Sequence, residues 1–340
     1  MAKMEDILGE LSEVGRLVDP FMEKALANMV SSDFLEIVLH QVKTGGKRVR
    51  PALVILSCEA CGGSREDALP VAAAIELIHE YSLIFDDIID RGEIRRGKPT
   101  VRKLYGDIMA LLAALHYRES ISELVNQSKK PLELHALIAE TIKRIIEGER
   151  LDILFEQAGR REEYIVKHRY REIDFSDYLR MIEYKTAALI EAACLAGAII
   201  ADAPPVQCDA LAKYGRKIGI AFQLIDDLLD IFGEEKTFGK KVGKDILEHK
   251  LGNAIILKAL QNLPKEKRED LLEILRSEKI SEEDVRKAIK IISMTNAREE
   301  VYNMALTLVE DAKKSLLGLP VSQARSKLEK LADFIVKRKF

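Results

Sequence analysis

The sequence predicts an all-α protein, and three observations support that prediction. Apolar residues recur at three- and four-residue spacing along almost the whole chain, which is the period of an amphipathic helix. No stretch alternates between apolar and polar residues with the period of two that marks a half-buried strand. The 340 residues include only 9 prolines and no tryptophan, and 47% of them are hydrophobic, so the composition suits long helices with one buried face.

The predicted helices follow one another without an obvious linker. No tract rich in proline, glycine or serine divides the chain, so we expect a single domain over residues 1–340. The apolar spacing predicts helices at 4–30, 33–44, 51–61, 66–91, 98–126, 131–157, 175–201, 206–232, 249–261, 265–276, 281–293 and 295–337.

The overall charge argues against a nucleic-acid or membrane partner. The formal net charge is −3, so any anion must bind at a local cluster of cations rather than to the protein as a whole. The first residues, MAKMEDILGELSEV, lack the apolar stretch of a secretory signal, and we expect a cytoplasmic protein. The apolar run at 187–203 contains Glu191, and we interpret it as a buried core helix rather than a membrane span.

The four cysteines do not predict a disulfide framework or a zinc site. Cys58 and Cys61 form a CxxC, but no second pair of cysteine or histidine ligands lies at zinc-site spacing. The pair lies in the apolar run PALVILSCEACGG, so helix packing is the favoured interpretation.

Two acidic clusters are the strongest functional signal. YSLIFDDIID places Asp86, Asp87 and Asp90 at the end of an apolar helix, and FQLIDDLLDIF repeats the pattern with Asp226, Asp227 and Asp230. Carboxylates four residues apart share a helix face and repel each other by about 0.2–0.5 kcal/mol, and by more where apolar neighbours reduce solvation. An acidic helix end facing solvent would explain one copy. Two copies favour a bound cation, and oxygen ligands favour magnesium over zinc.

Three loops combine glycine with lysine or arginine: KTGGKRV, RGEIRRGKP and GEEKTFGKKVGKD. Glycine allows the backbone to approach a ligand closely, and the cations donate charge-assisted hydrogen bonds, so such loops suit phosphate groups. A solvated turn would explain any one of them. The cations in or near these loops and clusters, sufficient for two diphosphates, are Lys47, Arg50, Arg95, Arg96, Lys185, Lys240 and Lys250.

The remaining inventory points to metal-assisted ionisation. The sequence has no Ser-His-Asp or Cys-His set, no P-loop and no dinucleotide fingerprint. Metal ions that bridge carboxylates and a diphosphate would draw electrons from that leaving group and promote an allylic carbocation. An apolar cavity would keep water away from it.

Five motifs in order resemble the trans-isoprenyl diphosphate synthases, and they extend from about Gly45 to Gly252. They are GGKRVRP, IELIHEYSLIFDDIIDRGEIRRGKPTV, GERLDILFE, YKTAALIEAA and AFQLIDDLLDIFGEEKTFGKKVGKDILEHK. The resemblance implies a single bundle of long antiparallel helices around a central cavity, usually paired as a homodimer. It also implies small-molecule diphosphate substrates and three magnesium ions, and geranylgeranyl diphosphate synthases are the nearest match within the family.

The resemblance also implies roles for individual residues. The isopentenyl diphosphate contacts would be Lys47, Arg50, His79 and Arg96. The allylic diphosphate contacts would be Arg95, Lys185, Thr186, Gln223, Lys240 and Lys250. Asp86 and Asp90 would hold two magnesium ions and Asp226 the third, with Asp87, Asp227 and Lys185 also in the catalytic set. The released diphosphate would take the final proton.

Two segments depart from the family pattern, and alternatives stay open. Phe85 stands where the family often has histidine, and the segment GDIMALLAALHYRES lacks a common Gly-Asp within residues 111–120. A terpene cyclase needs no second diphosphate site, so GGKRVRP and His79 argue against it, while a non-catalytic partner subunit is disfavoured by the intact aspartates. A helical scaffold protein explains none of the paired motifs.

Product length depends on the helix that precedes the first acidic cluster. Tyr81 lies five residues before Asp86, about 1.4 turns or ~7.5 Å along the helix, with the small Ser82 beside it. A tyrosine there would form a partial floor for the growing chain, and the resemblance then implies geranylgeranyl diphosphate, with farnesyl or longer products as alternatives. Tyr81 packed only between helices is the competing interpretation.

Overall fold

The computed structural model describes residues 2–233 and 242–337, with side chains described from Ile7 onward. The all-α prediction is confirmed. The strands in the described part of the chain form one short hairpin of two residues per strand, Ile94–Arg95 paired with Lys98–Pro99. The α-helices are α1 Ala2–Arg16, α2 Asp19–Ala27, α3 Ser32–Lys43, α4 Val49–Ala60, α5 Arg65–Ile89, α6 Val101–Val125, α7 Pro131–Phe155, α8 Glu163–His168, α9 Phe175–Ile182, α10 Ala188–Ile200, α11 Pro205–Phe232, α12 Lys244–Leu247, α13 Ala254–Asn262, α14 Lys265–Arg276, α15 Glu282–Ile292, α16 Ala297–Ser315 and α17 Gln323–Lys337.

The helices belong to two compact units. The first unit comprises Met1–Ile142, Leu189–Gly215 and Ser315–Leu331, and the second comprises Lys143–Ala188, Arg216–Lys314 and Ala332–Phe340. That both units serve one functional domain stays a prediction.

Helix α5 is the centre of the first unit, where it packs against α4 and α6. Its residues 71–78 are all buried, and they include one acid, Glu76. Because α5 ends at Ile89, its packing fixes the position of the first acidic cluster in its last turn. This helix is long and apolar enough to cross a membrane, but 67% of its apolar window is buried inside the fold, as expected for a core helix.

A close approach brings α1 against the segment that precedes α4. A Cβ atom on Gly15 would lie 2.0 Å from the carbonyl oxygen of Arg48, so only glycine fits there. Arg48 itself has a left-handed backbone, with φ of 48°, which turns the chain from the Gly45–Gly46 loop into α4.

In the second unit, a π-helical turn at Glu183–Ala187 joins α9 to α10. Gly148 of α7 allows this turn to approach, because a Cβ there would lie 2.3 Å from the backbone nitrogen of Lys185. Such single π turns are frequent at functional sites, and this one carries both Lys185 and Thr186.

Several predicted helix boundaries were wrong for identifiable reasons. The predicted helix 4–30 is divided between α1 and α2, and Pro20 lies in the first turn of α2, where its missing N–H leaves no intrahelical bond unmade. The predicted helix at 98–126 begins only at Val101, after the hairpin, and Gly106 kinks it with φ of 82°. The predicted helix at 249–261 begins at Ala254, because the Asn253 side chain accepts hydrogen bonds from the Ile255 and Ile256 N–H groups and caps it.

Gly15 provides a stability test with an internal control on the same helix. Replacing Gly15 with alanine should lower the free energy of unfolding by about 2 kcal/mol or more, because the new methyl group overlaps the Arg48 carbonyl. Gly9→Ala should instead raise the stability by about 0.5–1 kcal/mol, because nothing lies within 4 Å of that position and alanine favours a helix. Denaturant unfolding measures both. Equal effects of the two changes would contradict the close approach.

Candidate active site

The first acidic cluster contains aspartates in different environments. Asp86 lies half-buried in the last turn of α5, and Asp90 is exposed at its C-cap. Asp87 is only 4% exposed, and Arg95 donates to both of its oxygens, with Nη2 at 2.8 Å from Oδ1 and Nε at 3.0 Å from Oδ2. The fork fixes Asp87 in place. Arg95 is thus paired with an aspartate in this structure, and its contact with the allylic diphosphate stays a prediction.

The predicted isopentenyl diphosphate contacts all lie in the first unit. Lys47 is exposed in the loop before α4, and Arg50 lies in the first turn of α4. Burial lowers the pKa of Arg50, while Glu76 and Glu80 raise it. Its Nε is buried without a hydrogen-bond partner in the described structure. A buried donor of this kind favours a bound anion or water.

His79 lies on the same helix as the first acidic cluster, seven residues before Asp86. Burial lowers its pKa well below the ordinary value, and the positive charges of Arg50 and Arg96 lower it further. The imidazole is therefore neutral at pH 7, which leaves it one N–H to donate and one nitrogen to accept.

A buried charge network lies behind these cations, and the sequence analysis missed it. Arg48 is 4% exposed, and its guanidinium contacts Asp19, Glu76 and Glu80 at 3.0, 3.0 and 2.7 Å. Arg96 Nη1 contacts Glu80 at 2.9 Å. The only signal in the sequence was the pair of acids four residues apart in IELIHEYSL, on an otherwise apolar helix.

Tyr81 and Phe85 form an aromatic pair one turn apart on α5. Their rings meet edge to face, with centroids 5.9 Å apart, and Tyr81 is 7% exposed. Burial raises the pKa of Tyr81 to about 12. The Ser82 hydroxyl donates to the His79 carbonyl at 2.8 Å, so it is turned back along its own helix. Phe85, which departs from the family pattern, therefore braces the Tyr81 ring.

The second acidic cluster lies in the last two turns of α11, and its aspartates also differ. Asp227 is 3% exposed and accepts from the Tyr178 hydroxyl, the Gln223 amide and the Ala254 N–H at 2.7, 2.8 and 2.8 Å. Asp230 accepts from the Lys244 and Asp245 N–H groups at 3.2 and 3.1 Å. Asp226, which directly precedes Asp227, is half-buried. Asp227 is therefore fixed by three hydrogen bonds from the fold, although the sequence motif shows the three aspartates as equivalent.

Thr186, Gln223 and Asp227, all predicted site residues, form one hydrogen-bonded chain. The Thr186 hydroxyl donates to Gln223 Oε1 at 2.9 Å, and Gln223 Nε2 donates to Asp227 Oδ1. This series of hydrogen bonds links the π turn to the end of α11.

Two predicted lysines meet at one buried acid. Lys185 Nζ lies 2.6 Å from Asp152 Oδ2 and 2.6 Å from Glu149, while Lys250 Nζ lies 3.2 Å from the same Asp152 oxygen. Burial alone would raise the pKa of Asp152, but the two lysines lower it below its ordinary value. The sequence analysis did not name Asp152 or Glu149, although both lie in GERLDILFE. Lys240 lies outside the described residues.

The carboxylates of the second unit suit a divalent cation. Burial and the neighbouring Asp245 raise the pKa of Asp230 to about 7, and the same two causes raise the pKa of Asp227. A bound cation would relieve this repulsion between carboxylates. The C-terminus of a helix also attracts a cation, because its carbonyl groups carry partial negative charge. Within the described ranges, no three histidine, cysteine or carboxylate side chains already converge to hold an ion. Magnesium typically takes one or two carboxylates together with substrate phosphates and water, which fits this donor set.

Comparison with known proteins identifies the family. Residues 32–292 match the family model described as polyprenyl synthetase. The chain is 38% identical to a short chain isoprenyl diphosphate synthase of Methanothermobacter thermautotrophicus, over 99% of both chains. It is 31% identical to a geranylgeranyl diphosphate synthase of Methanosarcina mazei, over 98% of both. The crystal structure of geranylgeranyl pyrophosphate synthetase from Pyrococcus horikoshii superposes with a TM-score of 0.89 at 34% identity, covering 99% of this chain and 100% of that one.

These matches confirm the class that the helical fold and the acidic clusters indicate, an all-helical trans-prenyltransferase. The chain belongs to the polyprenyl synthetase family.

The neutral state of His79 predicts a pH dependence of stability. Its folded pKa is lower than the unfolded value of 6.5, so the unfolded chain binds the proton more tightly. Stability linked to His79 is therefore complete above pH 6.5 and falls below it, by up to about 1.4 kcal/mol per pH unit. His79→Gln should reduce this slope between pH 6.5 and 5, as measured by denaturant unfolding. Some slope should remain, because burial also lowers the pKa of His249.

The exposed His168 supplies the control. His168→Gln should leave the slope at the wild-type value. An unchanged slope in His79→Gln would show that His79 is charged or well solvated in the folded protein.

Proposed function

We propose that this prenyltransferase condenses an allylic diphosphate with isopentenyl diphosphate, with geranylgeranyl diphosphate as the main product, in isoprenoid biosynthesis in the cytoplasm. One observation carries the proposal. Each unit by itself combines aspartates at the end of a buried helix with cations held by a buried carboxylate, Glu80 in the first unit and Asp152 in the second. Two such arrangements suit a reaction that takes two diphosphates.

The two sets of residues divide the work of binding. Lys47, Arg50, His79 and Arg96 would hold isopentenyl diphosphate. Lys185, Lys250 and the hydrogen-bonded Thr186–Gln223 pair would hold the allylic diphosphate, with Arg95 and Lys240 as further contacts. Asp152 keeps both lysine ammonium groups at one point, so their charges are placed before the substrate arrives.

Three magnesium ions, held by Asp86, Asp90 and Asp226, would supply charge stabilisation to the departing diphosphate. The carbon–oxygen bond of the allylic substrate breaks with its electron pair on the diphosphate, and the double bond of isopentenyl diphosphate attacks the carbocation. The released diphosphate would take the proton whose loss restores a double bond. Asp87 and Asp227 are held by Arg95, Tyr178 and the Ala254 N–H, so they would orient their helix ends rather than coordinate metal.

Metal dependence tests this function directly. Condensation of isopentenyl diphosphate with farnesyl diphosphate should disappear with a chelator and return with magnesium. Asp226→Ala should lower kcat by at least about 100-fold, because it removes charge stabilisation of the leaving group. Circular dichroism should show an intact fold. Full turnover in the presence of chelator would contradict the proposal.

Product length should respond to Tyr81. The edge-to-face contact with Phe85 supports Tyr81 as a rigid barrier, and the relatives cited above are named for geranylgeranyl or short chain products. Tyr81→Ala should shift the products to chains at least one isoprene unit longer, as sized by chromatography of labelled products. Tyr81→Phe, which keeps the ring, is the control. An unchanged distribution in an active Tyr81→Ala variant would place the floor elsewhere.

We also propose a homodimer formed through one face of α6. Leu104, Ile108, Leu111, Leu112 and Leu115 are 42–71% exposed, and the last four, which follow the kink at Gly106, are spaced along one side of the helix. A contiguous apolar face of this kind favours contact with a second chain.

The α6 face can be tested by charge. Ile108→Glu combined with Leu115→Glu should halve the mass measured by light scattering, because each chain would bury two carboxylates at the interface. Leu132→Glu, an 85% exposed leucine on α7, should leave the mass unchanged. A dimer that survives the double change would exclude this face.

A further inference from the structure

Glu80 lies among the charged side chains of the first unit, and it is not one of the residues assigned to either diphosphate or to magnesium. Its side chain is 0% exposed on α5, six residues before Asp86. The carboxylate accepts from three separate segments: Gln41 Nε2 of α3 at 2.8 Å, Arg48 Nη1 at 2.7 Å, and Arg96 Nη1 of the hairpin at 2.9 Å. Glu80 therefore connects α3, the Gly45–Gly46 loop (the glycine loop) and the hairpin through one carboxylate.

Arg96 depends on Glu80 more than Gln41 and Arg48 do. Its backbone is left-handed, with φ of 52°, and its side chain is 25% exposed. Arg96 Nη1 also donates to the Gly45 carbonyl, and a Cβ on Gly46 would lie 3.2 Å from the Arg96 guanidinium carbon. The guanidinium thus lies against the glycine loop. The hydrogen bonds that Arg96 makes to described residues all use Nη1, so Nε and Nη2 have no hydrogen-bond partner within the described part of the chain.

Arg48 does not need Glu80 in the same way. Its Nε contacts Asp19 at 3.0 Å, its Nη1 also contacts Glu76 at 3.0 Å, and its Nη2 donates to the Val42 carbonyl. Two other carboxylates therefore remain against Arg48 if Glu80 is neutralised. Among the described ion pairs of Arg96, Glu80 is the one carboxylate.

We propose that Glu80 is a positioning residue for isopentenyl diphosphate, which holds the Arg96 guanidinium against the glycine loop so that its other nitrogens can bind the diphosphate. The inference rests on the proposed function of the first unit as the isopentenyl diphosphate site. Two effects compete here. A nearby carboxylate weakens the attraction between Arg96 and a diphosphate, but a fixed fork avoids the entropy of ordering an exposed arginine when the substrate binds. The three-point anchoring favours the second effect.

The test is the dissociation constant of isopentenyl diphosphate, measured by titration calorimetry without an allylic substrate. Glu80→Gln should raise it about 10- to 100-fold. The Kd of the allylic diphosphate, measured separately, should change by less than about 2-fold. Glu80→Asp should also weaken isopentenyl diphosphate, because it keeps the charge but withdraws the carboxylate from Arg96; this variant serves if Glu80→Gln folds poorly.

A double-mutant cycle separates positioning from structure. In an Arg96→Ala background, Glu80→Gln should change the Kd of isopentenyl diphosphate by less than about 2-fold, because the group that Glu80 positions is gone. Glu76→Gln is the matched control, an equally buried acid one turn away that contacts Arg48 and not Arg96. Its effect on Kd should be the same with and without Arg96.

Three results would overturn the inference: tighter binding of isopentenyl diphosphate by Glu80→Gln, an equal loss of affinity for both substrates, or full additivity of Glu80→Gln with Arg96→Ala. Failure of the proposed function appears differently. In that case the wild-type protein would not form product from the two diphosphates, whereas the calorimetric comparison of Glu80→Gln with wild type would still decide the role of Glu80.

Discussion

A carboxylate buried inside a helical protein needs cations or hydrogen-bond donors against it, and that constraint shapes both units of this structure. An unpaired buried charge costs several kcal/mol, which is comparable to the whole stability of a domain. The first unit meets the constraint by placing Glu80 between Arg48 and Arg96, and the second by placing Asp152 between Lys185 and Lys250. The cations are therefore gathered before any substrate binds.

The constraint also explains why the two kinds of aspartate in each acidic cluster differ. Asp87 and Asp227 are almost fully buried, and each is saturated by donors from the fold, Arg95 for the first and Tyr178, Gln223 and Ala254 for the second. Asp86 and Asp226 are more exposed on neighbouring positions of the same helices. One acid of each adjacent pair thus anchors the helix end, and the other keeps part of its side chain exposed.

How far the sequence could predict this structure depends on the type of information. Helix periodicity is local, and it predicted the all-α class and most elements, while the repeated acidic pattern marked the ends of α5 and α11 in advance. The π turn at Glu183–Ala187 could not be predicted, since it depends on the approach of Gly148 from a distant part of the chain. Asp152, Glu76 and Glu80 were missed for the same reason, because a buried acid acquires its meaning only from partners that are remote in sequence.

Binding of inorganic diphosphate tests the central claim most directly. The claim is that the cationic side chains of each unit are in place before a ligand binds, and that the acidic cluster of each unit needs a metal ion to bind a diphosphate. Thermal unfolding should be followed with diphosphate alone, magnesium alone and both together. The account predicts that diphosphate with magnesium raises the melting temperature well beyond the sum of the separate effects, and that Asp226→Asn reduces this excess. An equal stabilisation by diphosphate with a chelator present would contradict it, since the cations alone would then suffice.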